Sequence, residues 1–282
     1  MDRRAKKTIK SIDNAFIQLL KKKSFDKITI NEVSKTADIN RVTFYNYFID
    51  EKLNNEIQSY APTISDVYLS EDSSQSSSNE VGGNNNPNEA EGDNKTISEN
   101  QEELKSINNN YEMWIEIPNT KINYPIVQGK DNEYYLKHNF KNESNMSGTI
   151  FVDCNNNIDE DKNIIIYGHN MRNGTMFNNI TKFKEESFFN NNNNTINIIR
   201  NNILYQYEIF SIYVEDESKV SLEIEFTDND AFVNYALNEA SKSMYNKNII
   251  ITEEDKIITL VTCSYEYTGA RTILVGKLKN TN

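Results

Sequence analysis

Very little in this chain could bind metal or form a disulfide framework. The 282 residues include 2 cysteines and 2 histidines. These four residues are far apart in sequence, which excludes a disulfide scaffold and the paired-ligand spacings of structural zinc. No run approaches the ~18 apolar residues that span a bilayer. The basic N-terminus lacks an apolar stretch behind it, so no secretory leader is read. Hydrophobic residues make up 37% of the chain and the mean hydropathy is −0.71. That is lean for one packed body and implies a stretch that stays unpacked.

The net charge of −12 argues against nucleic-acid binding by the whole molecule. By region the picture changes. Residues 1–60 carry 12 Lys+Arg against 8 Asp+Glu, residues 61–110 carry 2 against 10, and residues 111–282 carry 16 against 24. A basic head, an acidic middle and an acidic body share one chain. The middle, 61–109, reads as a linker. Its segment Ser73–Asn94 is rich in Ser, Asn, Gly and Glu and has no aromatic residue. It cannot bury enough apolar surface to offset ~1–2 kcal/mol of chain entropy per residue, so about 70–98 is expected to be disordered.

In the head, Ile9, Ile12, Phe16, Leu19 and Leu20 recur at helical spacing, with Lys6, Lys7 and Lys10 on the other face. Thr29-Ile30-Asn31-Glu32 is a capping-box pattern that opens a second helix. Asp38-Ile39-Asn40 makes a turn, and Asn40 can cap a third helix over Arg41–Asn46. This is a helix-turn-helix plan, whose third helix enters the DNA major groove. The string FDKITINEVSKTADINRVTFYNYFIDEKL, Phe25–Leu53, resembles the DNA-binding domain of TetR-type transcriptional regulators. The resemblance implies that Arg41 and Thr43 face bases or phosphates and that Tyr45, Tyr47 and Lys52 touch phosphate. Duplex DNA is then a partner of residues 1–60. TetR-type regulators continue into an all-helical domain, and this chain does not, so a module that has lost DNA binding is the competing reading.

From about Tyr111 the pattern turns to β. Eight runs are rich in Ile, Val, Tyr and Phe: Trp114–Ile117, Ile122–Val127, Thr149–Val152, Ile164–Tyr167, Thr195–Ile199, Ile203–Val214, Lys256–Cys263 and Thr272–Leu278. One helix interrupts them. Its cap signal is Thr227 with Asp230, and Phe232, Tyr235, Ala236, Ala240 and Met244 lie on one face. The fold class is therefore multidomain: an N-terminal all-α module, a linker, and a closed mainly-β barrel over 110–282.

Two strings stand out at strand ends: Tyr167-Gly168-His169-Asn170-Met171, and Leu260-Val261-Thr262-Cys263-Ser264-Tyr265-Glu266 with Arg271 eight residues after the cysteine. If the last two strands form a hairpin, Cys263 lies beside Arg271, and His169 can complete the group. A cysteine at a strand end is often only packing. As a nucleophile it must be a thiolate, and a neighbouring imidazolium and guanidinium both favour that anion.

The strings YGHNM and TLVTCSYEYTGAR, within the eight-stranded pattern, resemble a class B sortase from about Asn110 to Lys279. The resemblance implies that His169, Cys263 and Arg271 form a catalytic triad. It implies cleavage of an Asn-Pro-x-Thr-type sorting signal after Thr, transfer to an amine acceptor of cell-wall peptidoglycan, and no cofactor. The connection carrying the helix near Asp228–Tyr245 would line the sorting-signal groove. The family expectation is an enzyme held by an apolar anchor helix at the outer face of the cell membrane. A DNA-binding-type head occupies that place here, which leaves the alternative of a TetR-like regulator using the barrel as sensor or scaffold.

Overall fold

The eight apolar runs of the C-terminal part become eight strands, shifted by up to three residues at their ends. The computed structural model describes residues 3–24, 27–40, 43–44, 55–62, 68–69, 97–191 and 195–279. The strands of the barrel are β2 (Tyr111–Glu116), β3 (Asn123–Gln128), β4 (Ile150–Val152), β5 (Asn163–Tyr167), β6 (Thr195–Arg200), β7 (Ile203–Asp216), β8 (Ile257–Cys263) and β9 (Ala270–Leu278). A two-residue strand, β1 (Tyr68–Leu69), precedes them and pairs in parallel with the start of β7.

The sheet order is β1-β7-β6-β2-β3-β4-β5-β8-β9, and β7 pairs again with β9. That last pairing closes β2–β9 into a barrel, so no long edge is left unpaired. The pairs β3–β4 and β5–β8 are parallel and the others among the eight antiparallel. Several strands read as unbroken apolar runs because both faces are covered. Ile115, Ile126, Val152, Ile166, Ile196, Ile209, Leu260 and Leu274 fill the interior cluster. Outside, Ile165, Phe210, Val261, Ile273 and Val275 pack under the helix α5 (Asn229–Ser241), which follows the one-turn helix α4 (Glu186–Phe189) along the chain.

α5 is capped by Asp228, whose carboxylate accepts from the backbone N–H of Ala231. This corrects the expected Thr227–Asp230 cap. An Asp one residue later reaches the same orphan donors, and Asp230 lies inside the first turn. Phe232, Tyr235 and Ala236 are buried as expected, but Met244 lies past the helix end and is 51% exposed.

Two pieces of the segment 61–109, read as linker, are ordered elements: β1 and the helix α3 (Ile97–Ile107), whose Leu104 is buried beside Tyr111, Trp114 and Phe140. Residues 70–96, most of the stretch expected to be disordered, lie outside the described residues. Residues 55–62 also reach the barrel, with Ile57 in that same cluster.

In the head, α1 (Arg3–Leu20) and α2 (Ile30–Thr36) enclose a small core of Ile12, Ala15, Val33, Ala37 and Phe44. The Thr29–Glu32 capping box forms, and Asp38 takes a left-handed conformation, φ 54°, at the turn. Leu20, the last residue of α1 and one of the apolar residues at that helical spacing, is 45% exposed. Among the described residues, no helix is long and apolar enough to cross a membrane.

Candidate active site

The β8–β9 hairpin sets the first relationship. Its register pairs Cys263 directly with Arg271, the last step of the ladder. Neighbours in such a pair lie on the same face with Cβ atoms ~5 Å apart. β5 runs parallel to β8 on the other side, with Tyr167 opposite Val261, so the residues after Tyr167 arrive beside Cys263. Gly168 donates its N–H to the Val261 carbonyl at 3.2 Å, and its own carbonyl accepts from the Thr262 hydroxyl at 2.7 Å. His169 follows at once. His169, Cys263 and Arg271 line a single cleft with Asn132, Leu136, Phe151, Tyr167, Gly168, Val261 and Thr262.

Gly168 is required by space. A Cβ there would lie 2.7 Å from Cδ2 of buried Phe177 and 2.9 Å from its Cγ. Phe177 in turn donates its N–H to the His169 carbonyl at 2.9 Å. The ring of His169 is held by a second contact, Nε2 to the Leu136 carbonyl oxygen at 2.8 Å. A carbonyl only accepts, so Nε2 carries a hydrogen and Nδ1 is left for the thiol. The hydrogen bond with Cys263 raises the His169 pKa most. Burial opposes it, and the Leu136 carbonyl adds to the rise. Reciprocally, the bond to His169 lowers the Cys263 pKa, burial opposes, and the Arg271 charge lowers it further. Both shifts favour an imidazolium–thiolate pair.

Behind the cysteine lies a polar scaffold. Asn170 donates from Nδ2 to the Cys263 carbonyl at 2.9 Å, and Asn178 holds the Asn170 amide oxygen at 2.7 Å. The Ser264 hydroxyl accepts from Thr272 at 2.9 Å and from the Lys184 ammonium at 2.8 Å, and Lys184 also pairs with Glu266. These residues fix the backbone after Cys263 and do not enter the cleft. Cys154 is a free thiol outside the cleft, as is Cys263 within it. Among the described residues, no cluster of three or more His, Cys, Asp or Glu side chains is arranged to hold a metal.

Local sequence gave no signal for two neighbours of the site. Leu136 lies 33 residues before His169, in a 3-10 turn (Tyr134–Leu136). Glu217, just past β7, bonds to Nη2 of Arg271. Only long-range register brings either to the site. Of the residues read as DNA contacts, Thr43 lies in the head, half-buried on helical backbone, while Arg41, Tyr45, Tyr47 and Lys52 fall outside the described residues.

The Sortase domain family profile matches residues 115–279, more than half of the chain. The chain is similar to Sortase B of Listeria monocytogenes, 38% identical over 185 residues that cover 62% of this chain and 72% of that one. Sortase B of Staphylococcus aureus is 31% identical over 180 residues, covering 63% and 73%. Among solved structures, Clostridium perfringens sortase B aligns with a TM-score of 0.61 at 41% identity, covering 64% of this chain and 99% of that one. The S. aureus sortase B–substrate complex aligns with a TM-score of 0.60 at 29% identity, covering 65% and 86%. With its closed eight-stranded barrel and the cysteine, histidine and arginine at one rim, the chain belongs to the sortase family, as a class B cysteine transpeptidase.

Proposed function

We propose that His169, Cys263 and Arg271 carry out the transpeptidation, and that the peptide cut is a sorting signal of Asn-Pro-x-Thr type. The observation that carries this reading is the cross-strand pairing of Cys263 with Arg271 in a cleft that His169 also lines. The thiolate Sγ attacks the carbonyl carbon of that Thr, and a C–S bond forms. Arg271, permanently charged, donates to the oxyanion that develops. The C–N bond breaks as His169 gives its proton to the leaving amine. The resulting thioester is attacked by a second amine, proposed to be that of a cell-wall precursor. That amine loses a proton to His169, and the C–S bond breaks to return the thiolate. The test is a fluorogenic Asn-Pro-x-Thr peptide with and without an added amine. Cleavage by the wild-type chain and none by Cys263→Ala supports the reading, and equal turnover by both removes it.

A second role is favoured by the formed capping box and the left-handed turn at Asp38 in the head. Residues 1–60 bind duplex DNA through Arg41, Thr43, Tyr45, Tyr47 and Lys52. Gel retardation at low salt, weakened by Arg41→Ala or Lys52→Ala, tests it. No retardation of any duplex at low salt eliminates this role.

A further inference from the structure

Arg271 does not point into the cleft unaccompanied. Its Nη1 donates to the carbonyl of Ala270 at 3.2 Å, and its Nη2 bonds to a carboxylate oxygen of Glu217. Glu217 is reached through the register of β7 on β9. That ladder pairs Glu215 with Arg271 and Asp216 with Ala270. It then continues one step beyond the strands, where the N–H of Glu217 donates to the Gly269 carbonyl at 2.9 Å. Glu217 is therefore the diagonal neighbour of Arg271 on the same face.

The turn that presents Glu217 is ordered. The Asp216 carboxylate accepts from the N–H of Ser218 at 2.9 Å and from its hydroxyl at 2.5 Å. On the other side, Gly269 takes a left-handed φ of +84°, and a Cβ there would press on Oε1 of Glu217 at 3.3 Å. The Glu217 side chain lies along the bare face of that glycine, between the two hairpin ends.

We infer that Glu217 is a positioning residue of this enzyme: its carboxylate holds the Arg271 fork at the wall of the cleft and offsets part of the positive charge that Cys263 meets. The inference rests on the reading that Cys263 is the nucleophile. A free arginine side chain has many rotamers, and an oxyanion donor is effective only when held in place. Arg271 keeps its remaining donors for the substrate while Glu217 and Ala270 hold it. The charged groups facing the sulfur are His169 from the loop after β5, Arg271 from β9 and Glu217 from the turn after β7. Two favour the thiolate and Glu217 opposes it. A thiol lowered too far is a weaker nucleophile, so a moderating carboxylate serves the chemistry.

The full chain tests this with Glu217→Gln, which keeps an oxygen acceptor but drops the charge, and with Glu217→Asp, which keeps the charge. Two quantities are read: the pH midpoint for alkylation of Cys263 by iodoacetamide, and the split of peptide cleavage into kcat and KM. In Glu217→Gln the midpoint moves to lower pH and kcat falls by about tenfold, with KM changed less. Glu217→Asp recovers the wild-type midpoint. A midpoint or a kcat in Glu217→Gln that equals the wild-type value overturns the inference. If the wild-type chain cleaves no peptide, the nucleophile reading falls instead, and the alkylation midpoint alone decides for Glu217.

Discussion

His169 and Leu136 lie on different loops, yet Nε2 of the first meets the carbonyl oxygen of the second at 2.8 Å. A backbone carbonyl here does what a carboxylate does in other hydrolytic sites. It fixes the tautomer and the ring plane, but it adds no full charge. The burden of making a thiolate then falls on the His169–Cys263 bond and on Arg271.

That arrangement fixes the pH profile. The Cys263 pKa is depressed, so nucleophile is lost as the pH falls through it. The His169 pKa is raised, so the proton for the leaving amine is lost as the pH climbs through it. Activity is expected to be bell-shaped in pH, its two limbs belonging to the coupled pair. The expected alkylation midpoint of Cys263 lies below the ~8.5 of a free thiol. His169→Gln moves it upward, as stopped alkylation with mass spectrometry will measure. An unmoved midpoint would separate His169 from the thiol.

Gly168→Ala tests how tightly the imidazole is delivered. The added methyl meets the ring of Phe177 at 2.7 Å, inside a fully buried cluster. Overpacking of this kind costs about 1–3 kcal/mol. The strain falls on the peptide leading into His169, so kcat is expected to drop more than thermal stability alone accounts for. A variant with a lowered melting temperature and an unchanged kcat would show that His169 does not depend on this packing.

Most of the barrel was legible because its strands are unusually uniform. Runs such as Ile257–Cys263 are apolar on both faces, and the turn residues between them break the pattern cleanly. The Cys263–Arg271 neighbourhood was also legible, since a spacing of eight across a hairpin forces the two together. What stayed hidden has one physical origin. The Leu136 carbonyl, Glu217, α3 and β1 matter only through contacts between residues far apart in sequence, which no local periodicity reports. Helix α3 in particular is polar over most of its length, ISENQEELKSI, and its docking rests on Leu104 and Ile107.

Helix α5 is held by a buried carboxylate. Glu239 of α5 is fully buried, accepts from the Tyr213 hydroxyl at 2.5 Å, and pairs with the Lys242 ammonium at 2.6 Å. Tyr213→Phe removes one donor to a charged, buried acceptor, and a loss of about 1.5–3 kcal/mol is expected. Glu239→Ala costs more, because it also empties volume under the helix. Chemical denaturation of both variants measures the two losses. If Tyr213→Phe is neutral, the hydroxyl does not carry the helix.

Residues 55–62 bear on where the catalytic unit begins. Ile57 is 6% exposed and packs with Leu104, Tyr111, Trp114 and Phe140 at one side of the barrel. Asn123 of β3 donates to the Gln58 side-chain oxygen at 2.9 Å, and Gln58 donates back to the Asn123 carbonyl. Lys141 bonds Glu56 at 2.5 Å, but that pair is exposed and adds little. Lys141 belongs to the loop that follows Leu136, the residue that orients His169. The head therefore ends in a segment that braces the same loop. Ile57→Ala is expected to cost about 2 kcal/mol, the low end for such a truncation, because the neighbouring cavity beside Pro125 and Thr149 lets side chains shift inward. For a barrel of this size that is a fall of about 4–8 °C in melting temperature. A chain starting at residue 97 should melt lower than one starting at residue 55, and differential scanning calorimetry distinguishes them. Equal melting temperatures would mean that Ile57 leaves the barrel in solution, and that the catalytic unit starts at α3.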